Sequence, residues 1–196
     1  MKPSSSGVLP PEFYRRPTLT VARELLGKVF VKRAGRGELR GRIVEVEAYH
    51  QREASAHSFR GPTRRNRVMF APGGALYVYR IYGIHCCMNF VTEDEGVGAA
   101  VLIRALEPLA GEATMKRNRG GIENRVLWTN GPGKLCQAFG VRHEHDGLSL
   151  GGPRVFVEDA PVLKARQIQR SARIGISKAV DLPWRFYEKD NPFVSR

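Results

Sequence analysis

Between Ala75 and Val91, aromatic and aliphatic residues alternate along two runs, and Gly83 breaks the pattern between them. A period of two marks a half-buried strand, and a glycine separating two such runs reads as a tight turn. This stretch constrains the fold first, because it predicts an antiparallel hairpin. A second hairpin is predicted upstream: Lys28–Arg33 reads as a strand, residues 34–37 as a turn, and a further strand runs through Tyr49. Gly98–Leu106 is another strand, apolar except for Arg104, and Val155–Glu158 and Trp184–Glu188 are short ones. Helical segments fall irregularly among them. Thr20–Leu26 stops at Gly27, Glu107–Arg117 opens on a favourable Glu-Pro turn, Leu135–Phe139 ends at Gly140, and Ala165–Arg173 also reads as helical. Hairpins dominate, with no regular strand–helix alternation, so the fold class is α+β with an antiparallel or mixed sheet. The length fits one domain, expected over residues 16–196, with residues 1–15 as a flexible Pro- and Ser-rich lead-in.

The charge balance narrows the partners. The chain carries 32 Lys+Arg against 19 Asp+Glu, a formal net charge of +13. Such an excess calls for a polyanion, most simply nucleic acid, and arginine dominates the basic residues. Five arginines (Arg52, Arg60, Arg64, Arg65, Arg67) fall in residues 50–74, a stretch with few aliphatics that reads as a long functional loop. No apolar run approaches the ~18 residues of a membrane span, and the N-terminus lacks the apolar middle of a secretory signal, so an intracellular protein is expected. Cys86, Cys87 and Cys136 form no disulfide framework, and adjacent strand residues point to opposite faces, which disfavours a shared metal.

Four constellations could carry chemistry. In Arg42-Ile-Val-Glu-Val-Glu-Ala-Tyr49, the strand period places Glu45, Glu47 and Tyr49 on one face and Val44, Val46 and Ala48 on the other. A carboxylate beside an aromatic platform suits base recognition and proton handling; an edge strand with solvated acids is the plainer reading. Tyr77 and Tyr79 share a face, as an aromatic ladder would, whereas Tyr82 falls at the hairpin tip before Gly83, where it could wedge into a duplex. Arg104 within an apolar strand needs a partner, and Glu45 or Glu47 could serve; Asn89 poses a similar question. Gly131-Pro-Gly-Lys134 before a helix could hold a backbone phosphate or be a simple turn; it lacks the P-loop spacing.

Taken together, the segments GRIVEVEAY (41–49), AHSFRGPTRRNRVMF (56–70), GGALYVYRIYGIHCCMN (73–89), LIRALEP (102–108), GPGKLCQA (131–138) and WRFYEKDNPFVS (184–195) resemble the alkyladenine (3-methyladenine, methylpurine) DNA glycosylase family. The resemblance implies a curved sheet with flanking helices and a protruding hairpin that enters the DNA minor groove. It implies a monofunctional, monomeric enzyme that flips a damaged purine out of duplex DNA and hydrolyses its N-glycosidic bond, with no metal or cofactor. Carried over residue by residue, Glu47 activates water, Arg104 helps hold it, and a backbone carbonyl, assigned to Ile176, contacts it. Tyr49, His57 and Tyr79 line the base pocket and Asn89 guards it. Tyr82 is the wedge beside Gly83. The excess positive charge then reads as a DNA footprint at Arg64, Arg65, Arg67 and Lys134. Rival readings are a non-catalytic nucleic-acid binder, a metal-dependent nuclease using Glu45 and Glu47, and a glycosylase-lyase with a lysine nucleophile. The absence of lysine from residues 33–115 argues against the last.

Overall fold

The central strand of the sheet, β2 (Gly37–His50), is long enough to serve different partners along its two edges. The computed structural model describes residues 7–35, 37–81 and 83–195. Against β2 lie β1 (Val29–Ala34) and β5 (Ala99–Ala110); β6 (Val155–Glu158) extends beyond β1, and β4 (His85–Val91) and β3 (Leu76–Ile81) extend beyond β5. β8 (Arg185–Glu188) pairs with β2 over Glu45–Glu47 and carries β7 (Ile168–Ser171) with it. Every ladder is antiparallel, and the sheet curls into a half-barrel with flanking helices, a single α+β domain.

The helices α1 (Pro11–Tyr14), α2 (Thr18–Leu25), α3 (Glu112–Asn118), α4 (Val126–Thr129) and α5 (Pro132–Phe139) are short. The core gathers α2 and α5 against Phe30, Ile43, Val46, Ala48, Val78, Phe90 and Ile103 of the sheet. Gly41 permits this approach, since a Cβ there would stand 2.8 Å from Phe139 Cζ and 3.1 Å from Leu106 Cβ. Tyr14 is buried in the same core and Val8 bridges Glu158, so the packed body begins ahead of residue 16.

Three local readings give way to tertiary structure. The predicted helix over residues 107–117 begins only at Glu112. Residues 107–110 instead extend β5, because Arg42 reaches the Glu107 carboxylate and β2 supplies a ladder partner as far as Arg40. Pro108, which has no N–H to give, is accommodated beside a register shift between Arg40 and Gly41. Residues 165–173 form a 3₁₀ turn (Ala165–Gln167) followed by β7, whose ladder with β8 outweighs the helical spacing. Val44 leaves the core face shared by Val46 and Ala48: a bulge between Ile43 and Val46 turns it toward Ala105 and Phe193.

The loop over residues 50–74 is also more than a surface loop. Glu53, Ala56, Ser58, Asn66 and Met69 are buried in it, and a 3₁₀ turn spans Arg67–Phe70. The Asn66 side chain staples it, donating to the carbonyls of His57 (2.8 Å) and Gly61 (3.1 Å).

Gly41→Ala should overpack the contact between α5 and the sheet and cost about 1–3 kcal/mol. Urea unfolding checks this; a midpoint equal to wild type would show that Phe139 yields freely.

Candidate active site

Glu45, Glu47 and Tyr49 project from one face of β2, as the period of two requires. Both carboxylates are fully buried, which excludes solvated acids on an edge strand. Burying two charges at the centre of a sheet requires opposite charges within contact distance. β5 and β8 provide them. Arg104 Nε donates to Glu45 Oε1 (3.0 Å), Arg104 Nη1 lies 3.2 Å from Glu47 Oε2, and Arg185 Nε donates to Glu45 Oε1 (2.6 Å). The order Arg185–Glu45–Arg104–Glu47 alternates in sign, so two cations balance two anions. Both carboxylates named as possible partners of Arg104 are therefore engaged. Burial pulls the Arg104 guanidinium down, but Glu47 and Glu45 more than offset it, and it stays charged.

The Glu47 carboxylate has two further contacts. The Tyr49 hydroxyl donates to Oε2 at 2.8 Å and the Ile174 N–H donates to Oε1 at 2.7 Å. Burial, then the neighbouring Glu47 charge, pushes the Tyr49 phenol well up, so it remains a donor. Tyr49, Arg104 and Ile174 all line a cleft of about 660 Å³, within the ~300–1,000 Å³ typical of small-molecule sites. One layer of side chains thus separates the fully buried carboxylate from that cleft.

Aromatic rings from three elements wall the cleft. His57 meets Tyr79 edge-on at 4.5 Å between centroids, and its Nδ1 lies 3.1 Å from the Tyr77 hydroxyl. Burial, aided by the Arg65 charge, pushes the His57 imidazole down, so it is neutral at pH 7. Tyr77, read as a supporting ring, is buried against Met69, Val91 and Ala100, and it also borders the cleft. Asn89 lies in the wall with its Nδ2 donating to the Tyr77 carbonyl at 3.3 Å, and Ile176 also lines the cleft.

The residues predicted for the site from sequence divide clearly. Tyr49, His57, Tyr79, Asn89, Arg104, Ile176 and Arg65 border one cleft, with Glu47 directly behind it. Arg64, Arg67, Gly83 and Lys134 lie outside the lining. Arg64 and Arg67 are exposed, and Lys134 donates to Asn130 Oδ1 at 2.9 Å. Arg65 bridges the two regions: its Nη2 donates to the Arg80 carbonyl at 3.4 Å and its guanidinium lies 5.8 Å from the Tyr79 centroid. Ile81 pairs with His85 at the end of the β3–β4 hairpin, where Gly83 has φ +73° and Ile84 is exposed. Tyr82 lies outside the described residues.

Sequence reasoning missed the anchor of the wall. Arg173 is buried between the rings of Tyr49 (4.6 Å) and Trp184 (5.3 Å). Its two Nη atoms donate to Glu53 at 2.7 and 3.0 Å and to the carbonyls of Ala48 and Ala179. It fixes the segment that supplies the Ile174 N–H and Ile176. The available signal was an arginine with two apolar neighbours in Arg-Ile-Gly-Ile and a lone acid, Glu53, among arginines. Lys178, outside the lysine-free stretch 33–115, also lines the cleft, so that gap in the sequence does not remove a lysine nucleophile from the site.

Comparison with known proteins decides the family. The sequence model described as methylpurine-DNA glycosylase (MPG) matches residues 12–192. The chain belongs to the methylpurine-DNA glycosylase family. A relative from Methanoculleus marisnigri, named "Putative 3-methyladenine DNA glycosylase", is 50% identical over 191 residues, covering 96% of this chain and 98% of its own. Relatives of the same name from Chlorobium phaeobacteroides (49% identical; 94% and 93% covered) and Agrobacterium fabrum (48%; 100% and 96%) agree. The glycosylase is thus a hydrolase of DNA base-excision repair, and no helix among its described residues is long and apolar enough to cross a membrane.

In this glycosylase, Arg173→Ala would leave Glu53 buried without its cation and should cost about 3–5 kcal/mol. The Glu53 carboxyl is opposed by burial but held below its ordinary range by Arg173 and Ser55. A depressed carboxyl contributes stability above its unfolded value, and that contribution disappears as pH falls through the folded one. Unfolding free energy should therefore fall more steeply on acidification in wild type than in Glu53→Gln. Parallel curves would contradict this account of the pair.

Proposed function

We propose that the chain is a monofunctional glycosylase that takes a damaged purine out of duplex DNA and hydrolyses its N-glycosidic bond with water activated by Glu47. The carrying observation is the Glu47 carboxylate, shielded from solvent and set one residue layer behind an aromatic cleft. Depurination passes through a cationic, oxocarbenium-like sugar. A fixed carboxylate both attracts that cation and accepts a proton from water. Among the described residues Oε1 of Glu47 accepts from the Ile174 N–H, and a carboxylate oxygen can accept a second bond. A water entering between Ile174 and Arg104 would take it, with the Ile176 carbonyl as its further acceptor. Tyr49, the neutral His57 ring and Tyr79 supply planar and edge surfaces for a purine, and Asn89 supplies an amide against its edge.

Extrusion of a nucleotide costs a few kcal/mol, least at a damaged pair. The hairpin tip and the basic rim supply the compensation: Tyr82 fills the gap, while Arg64, Arg65, Arg67 and Lys134 meet phosphates. The net charge of +13 and the exposure of Arg64, Arg65 and Arg67 support this reading of the footprint.

Duplexes each carrying one damaged purine test the reaction. Base release should proceed in EDTA, with strand nicking only after alkali, and Glu47→Gln should abolish it. Full activity in Glu47→Gln would remove the assignment. Lys178 at the cleft makes borohydride trapping decisive for the lyase alternative, and no covalent adduct is expected. For the wedge, Tyr82→Ala should weaken capture of the extruded nucleotide, read by fluorescence of a base analogue opposite the lesion; an unchanged signal would refute that role.

A further inference from the structure

We infer that Glu45 and Ser195 are positioning residues that keep Arg104 from closing on Glu47. The inference rests on Glu47 as the general base. Arginine and carboxylate side chains meeting in a protein commonly form two parallel hydrogen bonds. Arg104 and Glu47 do not: their contact is one Nη1–Oε2 approach of 3.2 Å. The other two nitrogens of Arg104 are held elsewhere. Nε donates to Glu45 Oε1 at 3.0 Å and Nη2 donates to Ser195 Oγ at 3.2 Å.

Ser195 is itself fixed on every polar atom. Its N–H donates to Glu45 Oε2 (2.6 Å), its hydroxyl donates to Glu45 Oε1 (2.8 Å), and its carbonyl accepts from Arg185 Nη2 (3.1 Å). Glu45 and Ser195 are both buried, so these bonds face no competition from solvent. Together they anchor the Arg104 fork from the side away from Glu47. Released from Glu45 and Ser195, the guanidinium can turn its Nε and Nη2 edges toward Glu47 and occupy the lone pairs that water needs. Neither residue borders the cleft, so both act through Arg104 rather than on the purine.

The test is single-turnover base release with the full chain under saturating protein, beside lesion-DNA affinity and thermal unfolding. Ser195→Ala should slow base release about tenfold, the loss of one charge-assisted hydrogen bond. Affinity for lesion DNA should hold within about twofold, the loss residing in the chemical step. Ser195→Thr, which keeps the hydroxyl, should restore the rate. Combined with Arg104→Lys, Ser195→Ala should add little further loss, whereas an effect independent of Arg104 would multiply the two losses. Glu45→Gln unbalances the buried charge chain and should lower thermal stability, but in the fraction that remains folded base release should be slowed with affinity kept; unchanged base release in that fraction overturns the role of Glu45. A Ser195→Ala rate within twofold of wild type, or multiplicative losses in the double variant, overturns the inference while Glu47→Gln remains inactive. Retained activity in Glu47→Gln instead removes the general-base reading beneath it.

Discussion

Four alternating charges, Arg185–Glu45–Arg104–Glu47, run across the middle of the sheet, and the site depends on them. Neither glutamate could be buried on β2 without an arginine from the adjacent strand, and neither arginine could be buried without a glutamate. β2 can seat them because its far half pairs with β5 on one edge and β8 on the other. The same pairing fixes Glu47 at the edge of the cleft, since the next outward residue along β2 is Tyr49, which forms its wall. Removing any one charge would leave an unpaired ion in the interior, so folding and the placement of Glu47 are one problem.

A second buried pair solves a different problem. Residues 173–178 have little regular structure, yet they must deliver an N–H to Glu47 and line the cleft. Arg173 holds them by tying together Glu53, two backbone carbonyls and the faces of two aromatic rings. Because Glu53 belongs to the loop that also carries His57 and Arg65, this pair joins two walls of the cleft. Arg65 then connects that loop to the hairpin through the Arg80 carbonyl. The aromatic pocket, the basic rim and the hairpin are thereby linked in one scaffold.

What was legible in the sequence was local. The alternation in residues 42–49 placed Glu47 and Tyr49 on a common face, the break at Gly83 placed the hairpin, and Gly131-Pro before an apolar run placed α5. Arg104 in an apolar strand announced its need for a carboxylate. What could not be read depended on distant segments. The extension of β5 through Pro108 requires β2 as its ladder, the β7–β8 pairing overrides a helical spacing, and the bulge at Val44 follows from the register of β5. Arg173, Glu53, Arg185 and Ser195 gain their roles only when segments more than a hundred residues apart meet. Lys178 shows the same limit from the other side: a gap in lysine along the sequence says nothing about lysine around a cleft.

Glu47, held by this charge chain, is proposed to address water at a purine lodged between Tyr49 and the His57–Tyr79 wall. A crystal structure of the glycosylase on a duplex carrying a non-hydrolysable damaged purine nucleoside tests it most directly. The purine is expected in the cleft, with a water hydrogen-bonded to Glu47 Oε1 and facing the anomeric carbon of the sugar. A purine bound elsewhere, or a Glu47 carboxylate still closed off from the sugar by Tyr49, Arg104 and Ile174, would contradict it.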